Sequence, residues 1–325
     1  MFDSIQSCLL DRAKQQLDPR LSIVDELSEL LDLSKDSIYR RMRGETELSL
    51  KESLIICEEY GISLHELVAS GSSLITFQGR LVERKTYDIY LWMQSILEQL
   101  KMLDSFQGEK QMIYYTKDLP IFYYFNHPRL SAFKIYFWMR TIHRYTEFEQ
   151  EAFTFDQVPQ ELVTLGQRIW QKFCHVPSIE IWAQETTVVT LKQIEYYFEC
   201  GYFKNPDDAL LILDEFEELL RETKEWMKAG TKPDGSSLQI YRNDILIGDN
   251  TILFRLGDER VAFLPIGNLS IISTTNPTFT AHIESFMDTV LQRAVLISAT
   301  GEKERNKYFN QNVQLINNLR KRLGS

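Results

Sequence analysis

The chain has 325 residues, of which 44% are hydrophobic, 25% charged and 12% aromatic, with 14 Gly and 9 Pro. That composition excludes a disordered or low-complexity protein and is enough for two or three domains, each with its own core. The formal net charge of -10 disfavours non-specific adhesion to phosphates or anionic lipid, so any nucleic-acid contact must come from a local patch.

Cys8, Cys57, Cys174 and Cys200 are far apart and follow no metal or disulfide spacing, which predicts reduced thiols in a cytoplasmic protein. Charges run through the first twenty residues, leaving no signal-peptide core. The most apolar stretch, "AFKIYFWMRTI", is broken by Lys134 and Arg140 and is too short to span a bilayer. No membrane partner is expected.

In chain order, residues 1–70 read as short helices. "SIQSCLLDRAKQQL" has Ile5, Leu9, Leu10, Ala13 and Leu17 at helical spacing. "SIVDELSELLDL" offers Ser22 as N-cap, with Asp25 and Glu26 in the first turn, where the helix dipole favours anions. A third helix runs from Ser34 to just before Gly44. A fourth runs from about Ser49 to Tyr60 and stops at Gly61. A fifth short helix follows Ser63, and "SGSS" at 70–73 marks the domain boundary.

Residues 74–234 read as mostly helical. "TYDIYLWMQSILEQLKML" is amphipathic through Ile89, Met93, Ile96, Leu97 and Leu100. "NPDDALLILDEFEELLRETKEWMKAG" carries Asn205 as cap, Pro206 at N1 and Gly230 at its end. At 237–275, "SLQIY", "DILIG", "TILFRL", "RVAFLPI" and "LSIIST" are separated by turn residues and predict an antiparallel meander of four or five strands. Two helices close the chain. The stripe Phe309, Val313, Ile316, Leu319 and Leu323 of the last one fits either a short coiled-coil seam or packing on its own domain.

The stretch "SKDSIYRRMRGETELSL", 34–50, lies within "VDELSELLDLSKDSIYRRMRGETELSLKESLIICEEYGISLHEL". Over residues of about 20–68 this resembles the lambda-repressor-like (Cro/CI or Xre type) helix-turn-helix domain. The resemblance is carried by Leu27, Leu31, Leu33, Ser34, Ile38, Arg40, Gly44 and the closing "LSLKESLIICEEYGISLHEL". Two positions depart from it: Asp32 stands where the turn usually has Gly, and Ser28 where the first helix usually has Ala. The resemblance implies a five-helix DNA-binding domain at 1–72 that reads double-stranded DNA as a homodimer.

Ser34 at an N-cap is suited to clamping a phosphate. Lys35, Asp36, Ser37 and Arg40 sit where a recognition helix meets base edges, and Tyr39, Arg41, Arg43 and Thr46 suit phosphate or sugar contacts. Against this, residues 1–70 hold 8 Lys/Arg and 14 Asp/Glu, a net of -6. Between Leu33 and Gly44, however, Asp36 is the one carboxylate.

Elsewhere the signals are bland. The five histidines have no ligand spacing, and no phosphate loop, nucleophile elbow or paired-carboxylate motif appears, so the chain is not read as an enzyme and no cofactor or metal is expected. The segment 113–145 packs eleven aromatics into 33 residues. It reads first as the core of a helical domain and second as the lining of an effector pocket, with Tyr115, Lys117, Asp118, Tyr124, Arg129 and Lys134 as its candidate ligand-facing residues. "VPSIEIW" and "EKERNKYFN" look like local motifs without an evident mechanism.

The expected architecture is mainly α: the helix-turn-helix domain, then a larger helical α+β domain at 73–325 with a small antiparallel β-meander. The function expected is that of a bacterial or phage-type transcriptional regulator that dimerises and senses a small-molecule or protein effector. The alternative is a protein-interaction or scaffold module using the same fold without DNA.

Overall fold

The computed structural model describes residues 2–18, 20–64, 67, 75–79, 88–245, 248–266 and 270–324. Most of the expected fifth helix after Ser63 and the "SGSS" break fall outside them. The chain divides into two compact units, Met1–Phe77 and Gln78–Ser325.

The first unit contains α1 (Phe2–Gln16), α2 (Ile23–Leu31), α3 (Lys35–Met42) and α4 (Leu50–Tyr60). Each turns an apolar stripe inward: Leu9, Leu10 and Ala13 from α1, Ile23, Val24 and Leu27 from α2, Ile38 from α3, Ile56 and Cys57 from α4. Leu50 and Leu54, which the pattern suggests as core positions, are 73% and 46% exposed. Helix α4 buries its Ile56–Cys57 side instead. Ser22 occupies the N-cap of α2, but its side chain makes no cap hydrogen bond.

The second unit is built on a mixed sheet, eight-stranded among the described residues. Its strands are β1 (Gln78–Gly79), β2 (Lys110–Tyr115), β3 (Ser178–Trp182), β4 (Leu238–Arg242), β5 (Thr251–Leu256), β6 (Glu259–Ile266), β7 (Ser270–Thr274) and β8 (Val295–Leu296), in the order β1-β7-β6-β5-β2-β3-β4-β8. Strands β2, β3 and β4 run parallel to one another. Strands β5, β6 and β7 continue antiparallel from the other side of β2.

This corrects the expected small meander. Only β5–β7 form one, while "SLQIY" is separated from β5 by the two strands β2 and β3 and runs parallel to β3. Asp244 and Ile245 of "DILIG" are outside the strands, and residues 246–247 lie outside the described set. The segment expected to be helical also contributes two strands, β2 and β3. Both are buried on both faces: β2 shows no alternation over residues 112–115, and the alternation of β3 puts Ser178 and Glu180 in the interior instead of in solvent.

The helices are α5 (Ile89–Ser105), α6 (Ile121–Tyr124), α7 (Pro128–Phe137), α8 (Thr146–Glu149), α9 (Gln160–Cys174), α10 (Val188–Glu199), α11 (Asp208–Ala229), α12 (Pro277–Leu291) and α13 (Glu302–Leu323). Alternation along β2 divides the interior. Met112 and Tyr114 join the large core shared with the helices of one layer, and Ile113 and Tyr115 join a smaller core with Met287 and Val290 of α12.

The aromatic band at 113–145 fills the large core. Phe133 meets Tyr197 edge-on at 5.3 Å and Phe153 at 5.8 Å, and Tyr136 meets Phe153 at 5.1 Å. Such pairs add roughly 0.5–1.5 kcal/mol each beyond burial. Helix α13 buries Phe309, Ile316, Leu319 and Leu323, packing on α10 and α11, while Val313 stays exposed. Its stripe belongs to this core and forms no coiled-coil seam.

At its Gly166, helix α9 closely approaches the residue that ends α6. A Cβ there would stand 2.7 Å from Cδ1 of the fully buried Phe125 ring. Gly166→Ala is expected to destabilise the second unit by about 1–3 kcal/mol through overpacking, measured as a fall in the urea midpoint without a change in slope.

Candidate nucleic-acid interface

The face of α3 starts from how its turn is made. Asp32 ends α2 in the left-handed region (φ 53°), its N–H reaching Glu29 and Ser28 carbonyls, and Leu33 N–H donates to Ser28 O at 3.0 Å. The Ser28 hydroxyl in turn donates to Leu33 O. Asp32 and Ser28 therefore meet in one turn. Aspartate tolerates the left-handed backbone that glycine usually supplies, and the serine hydroxyl ties the turn shut.

Ser34 then caps α3, accepting from Ser37 N–H at 3.3 Å, with the two hydroxyls 2.9 Å apart. Helix geometry leaves the Lys35 and Asp36 amides without an intrahelical acceptor. Ile38 is buried against α2, and Asp36, Tyr39, Arg40 and Arg43, spaced i, i+3, i+4 and i+7, share the exposed side with Lys35. Ser37 and Thr46 are half-buried.

Arg41 departs from the expected phosphate contact. Its side chain is 15% exposed; Nη2 donates to Glu52 Oε1 at 2.8 Å and Nη1 to Ser37 O at 3.3 Å. The other oxygen of Glu52 accepts from Ser49 N–H at 2.6 Å in the capping box of α4. Arg41 thus joins α3 to α4. The rotation of a single helical residue, about 100°, turns it away from the exposed Arg40 beside it, a distinction that a run of arginines in sequence does not display.

Sequence reasoning also missed Gln6. From α1, its Nε2 donates to Arg41 O at 2.8 Å and Thr46 O at 3.0 Å, and its Oε1 accepts from Leu48 N–H at 2.8 Å. One amide therefore fixes the loop after α3 at three backbone points. Within that loop Glu45 takes Arg43 on both oxygens, at 2.7 and 3.1 Å, and lies 3.7 Å from Arg40 Nε. The Arg43 partner holds the Glu45 carboxyl below its ordinary range. Lys35 pairs with Asp25 at 2.5 Å.

The six residues proposed for an effector pocket do not all converge: Lys134, Tyr124 and Asp118 are close, and Tyr115, Lys117 and Arg129 lie elsewhere. Lys134 and Tyr124 meet in the large core: the ammonium lies 4.4 Å from the ring centroid and donates to Gln193 Oε1 at 2.7 Å, and the Tyr124 hydroxyl is 2.8 Å from Thr190 Oγ1. Asp118 accepts from Asn250 Nδ2 at 2.8 Å, and the exposed Lys117 donates its backbone N–H to Asn250 Oδ1. Tyr115 stands on the opposite face of the sheet beside Phe286, because consecutive strand residues point to opposite sides. Arg129 is exposed at the start of α7, near Glu215 of α11.

The two unexplained motifs are structural fastenings. Glu180 of "VPSIEIW" is fully buried and accepts from the Ser178 and Tyr123 hydroxyls and from Trp182 Nε1; burial pushes its carboxyl up. In "EKERNKYFN", the buried Arg305 donates to Ile297 and Ala299 carbonyls, and Glu304 pairs with Arg242 at 3.2 Å. Among the described residues no three His, Cys, Asp or Glu side chains converge as metal ligands, and no helix is long and apolar enough to cross a membrane.

Burial pushes the Lys134 ammonium down from 10.5 to about 8, with Asp118 pulling weakly the other way. Between those values the unfolded chain holds a proton that the folded chain has lost, so this lysine makes stability rise with pH through that window. Lys134→Met is therefore expected to be more stable than the parent at pH 7, with the advantage shrinking towards pH 10.5. Urea titrations across that range check it. A difference independent of pH would exclude the buried ammonium as its cause.

Comparison with known proteins returns no matching family model, no matching curated protein and no matching solved structure.

Proposed function

We propose that the first unit reads double-stranded DNA through α3 and that the chain acts as a transcriptional regulator. The observation that carries this is the division of α3. Ile38 faces the core, while Lys35, Asp36, Tyr39, Arg40 and Arg43 stand on the solvent side behind a Ser34 cap. An eight-residue helix presenting a lysine and an aspartate in its first turn and an arginine in its last, with a second arginine at its C-cap, is chemically equipped for major-groove edges and flanking phosphates. The unit's net charge of -6 over residues 1–70 opposes generic polyanion binding. Useful affinity then requires two copies on two half-sites about one helical turn apart. In this reading the second unit supplies dimerisation and effector sensing.

A second reading, an interaction module that does not bind DNA, is favoured by the carboxylates on the same surface. Glu45 engages Arg40 and Arg43, and Asp25 engages Lys35. These pairs are exposed, however, and exposed pairs contribute only about 0–1 kcal/mol, so phosphates can replace them.

Selection of duplexes from fragmented genomic DNA separates the two. The parent is expected to enrich a two-fold symmetric sequence, with affinity falling steeply as salt rises, and Arg40→Ala/Arg43→Ala to lose that enrichment. Identical recovery by parent and double variant would sink the DNA reading.

A further inference from the structure

The strongest unabsorbed feature of the surface is how tightly the backbone commits Glu45 to its two arginines. Gly44, with φ +73°, ends α3 in the left-handed region. The Gly44 N–H then donates to Arg41 O at 3.0 Å and the Glu45 N–H to Arg40 O at 2.8 Å. This is a Schellman closure, in which the residue after the glycine is brought over the last turn of the helix. That position commonly makes an apolar contact with the residue three from the helix end. Here the two positions hold Glu45 and Arg40, so an ionic contact replaces the apolar one.

Gln6 grips the chain on both sides of Glu45, at Arg41 O, Thr46 O and Leu48 N, so the loop has little freedom to carry the carboxylate away. The carboxylate meets the Arg43 fork in the two-point geometry that a phosphate diester would use.

The two arginine–carboxylate contacts at this end of α3 differ in burial. Arg41 and Glu52 are 15% and 17% exposed, and Glu52 is also held by its capping box. Arg43, Arg40 and Glu45 are 56%, 55% and 47% exposed. The first pair is a permanent strut. The second is labile, and the space in front of it is open to solvent.

We propose that Glu45 is a built-in competitor that limits the affinity of this surface: it occupies the anion position of Arg43 and Arg40, and phosphate of duplex DNA must displace it. The proposal rests on the DNA reading above. Its physical content is a fixed penalty on every complex, which a single phosphate contact repays poorly. A symmetric site repays it better, because it delivers phosphates and base acceptors to both arginines of two copies at once. The same cost falls on specific and non-specific complexes alike, so it lowers both affinities and leaves occupied only complexes that gain many other contacts.

The test uses the full chain and a fluorescein-labelled duplex of about 30 base pairs and random sequence, followed by anisotropy at several salt concentrations. Glu45→Gln keeps the side-chain shape and removes the charge. Glu58→Gln, on the exposed side of α4 and away from both arginines, removes the same charge and controls for net charge alone. Glu45→Gln is expected to tighten random-duplex binding about threefold or more beyond Glu58→Gln, with the gap narrowing as salt screens the ion pair. Its thermal midpoint should stay close to the parent's, since the pair is exposed.

Binding by Glu45→Gln where the parent shows none also supports the proposal. Equal tightening by the two variants, or none by Glu45→Gln in a parent that binds, overturns the proposal and leaves the DNA reading standing. Absence of binding by the parent and both variants, on random duplex and on genomic fragments alike, overturns both.

Discussion

Strands β2 and β3 have no solvent face, and that constraint organises the second unit. A strand covered on both sides must send alternate residues into two different cores, and it must find partners for any polar side chain it carries inward. Met112 and Tyr114 enter the large helical core while Ile113 and Tyr115 enter the smaller core under α12. Glu180 is the costly member of this arrangement, since a buried carboxylate is tolerated only with its oxygens satisfied. Two hydroxyls and an indole N–H satisfy it, all donated by residues beside it on β3 or facing it from α6. Lys232, buried near the same strand, donates to two backbone carbonyls and lies on the Phe173 ring. The polar groups beside β3 therefore find their partners within the protein, and the aromatic band around them reads as packing.

The first unit meets a different demand. An eight-residue helix has too few contacts to be held by its own hydrogen bonds, so α3 is fastened from outside. Ile38 anchors its inner side, Arg41 ties it to α4 through Glu52, and Gln6 of α1 fixes the loop that leaves it. These contacts restrict α3 while using few groups on its solvent side. Charge on that side is then balanced by Asp25 and Glu45 in exposed pairs. A unit that is acidic overall can present such a helix without attracting polyanions indiscriminately, which is the physical logic behind reading it as a selective surface.

Helices with clear caps and stripes were legible in the residues: α2 to α4, α5 and α11 lie close to where spacing puts them. Helix α11 begins at Asp208, two residues after the expected Pro206 start, because the Asn205 side chain holds the Asp207 N–H in a turn before the helix. The hairpins β5–β6–β7 were legible from their turn residues. Strands β2 and β3 were not, because "MIYY" of β2 is a short apolar run whose period does not separate a buried strand from a buried helix, and "SIEIW" of β3 is a five-residue alternation whose buried glutamate hides its place in a core. At the candidate site, the exposed side of α3 follows from the position of Ile38, so Arg40 and Arg43 could be placed from sequence. Arg41 could not, since its partner Glu52 is eleven residues away on another helix. Gln6 was invisible for the same reason at greater range.

What the sequence determined by itself is local: where helices begin and end, which residue caps α3, and which of its residues share a side. Those properties depend on backbone chemistry within four or five residues, and Ser34, Ile38 and Gly44 suffice to specify them. Tertiary structure alone decided which strands are neighbours and which charges are free. Parallel pairing of β2, β3 and β4 joins segments more than fifty residues apart, and nothing in a single strand encodes its partner. The fate of each arginine at the end of α3 is decided in the same way, by whether the carboxylate it meets stands in the protein's interior or in water.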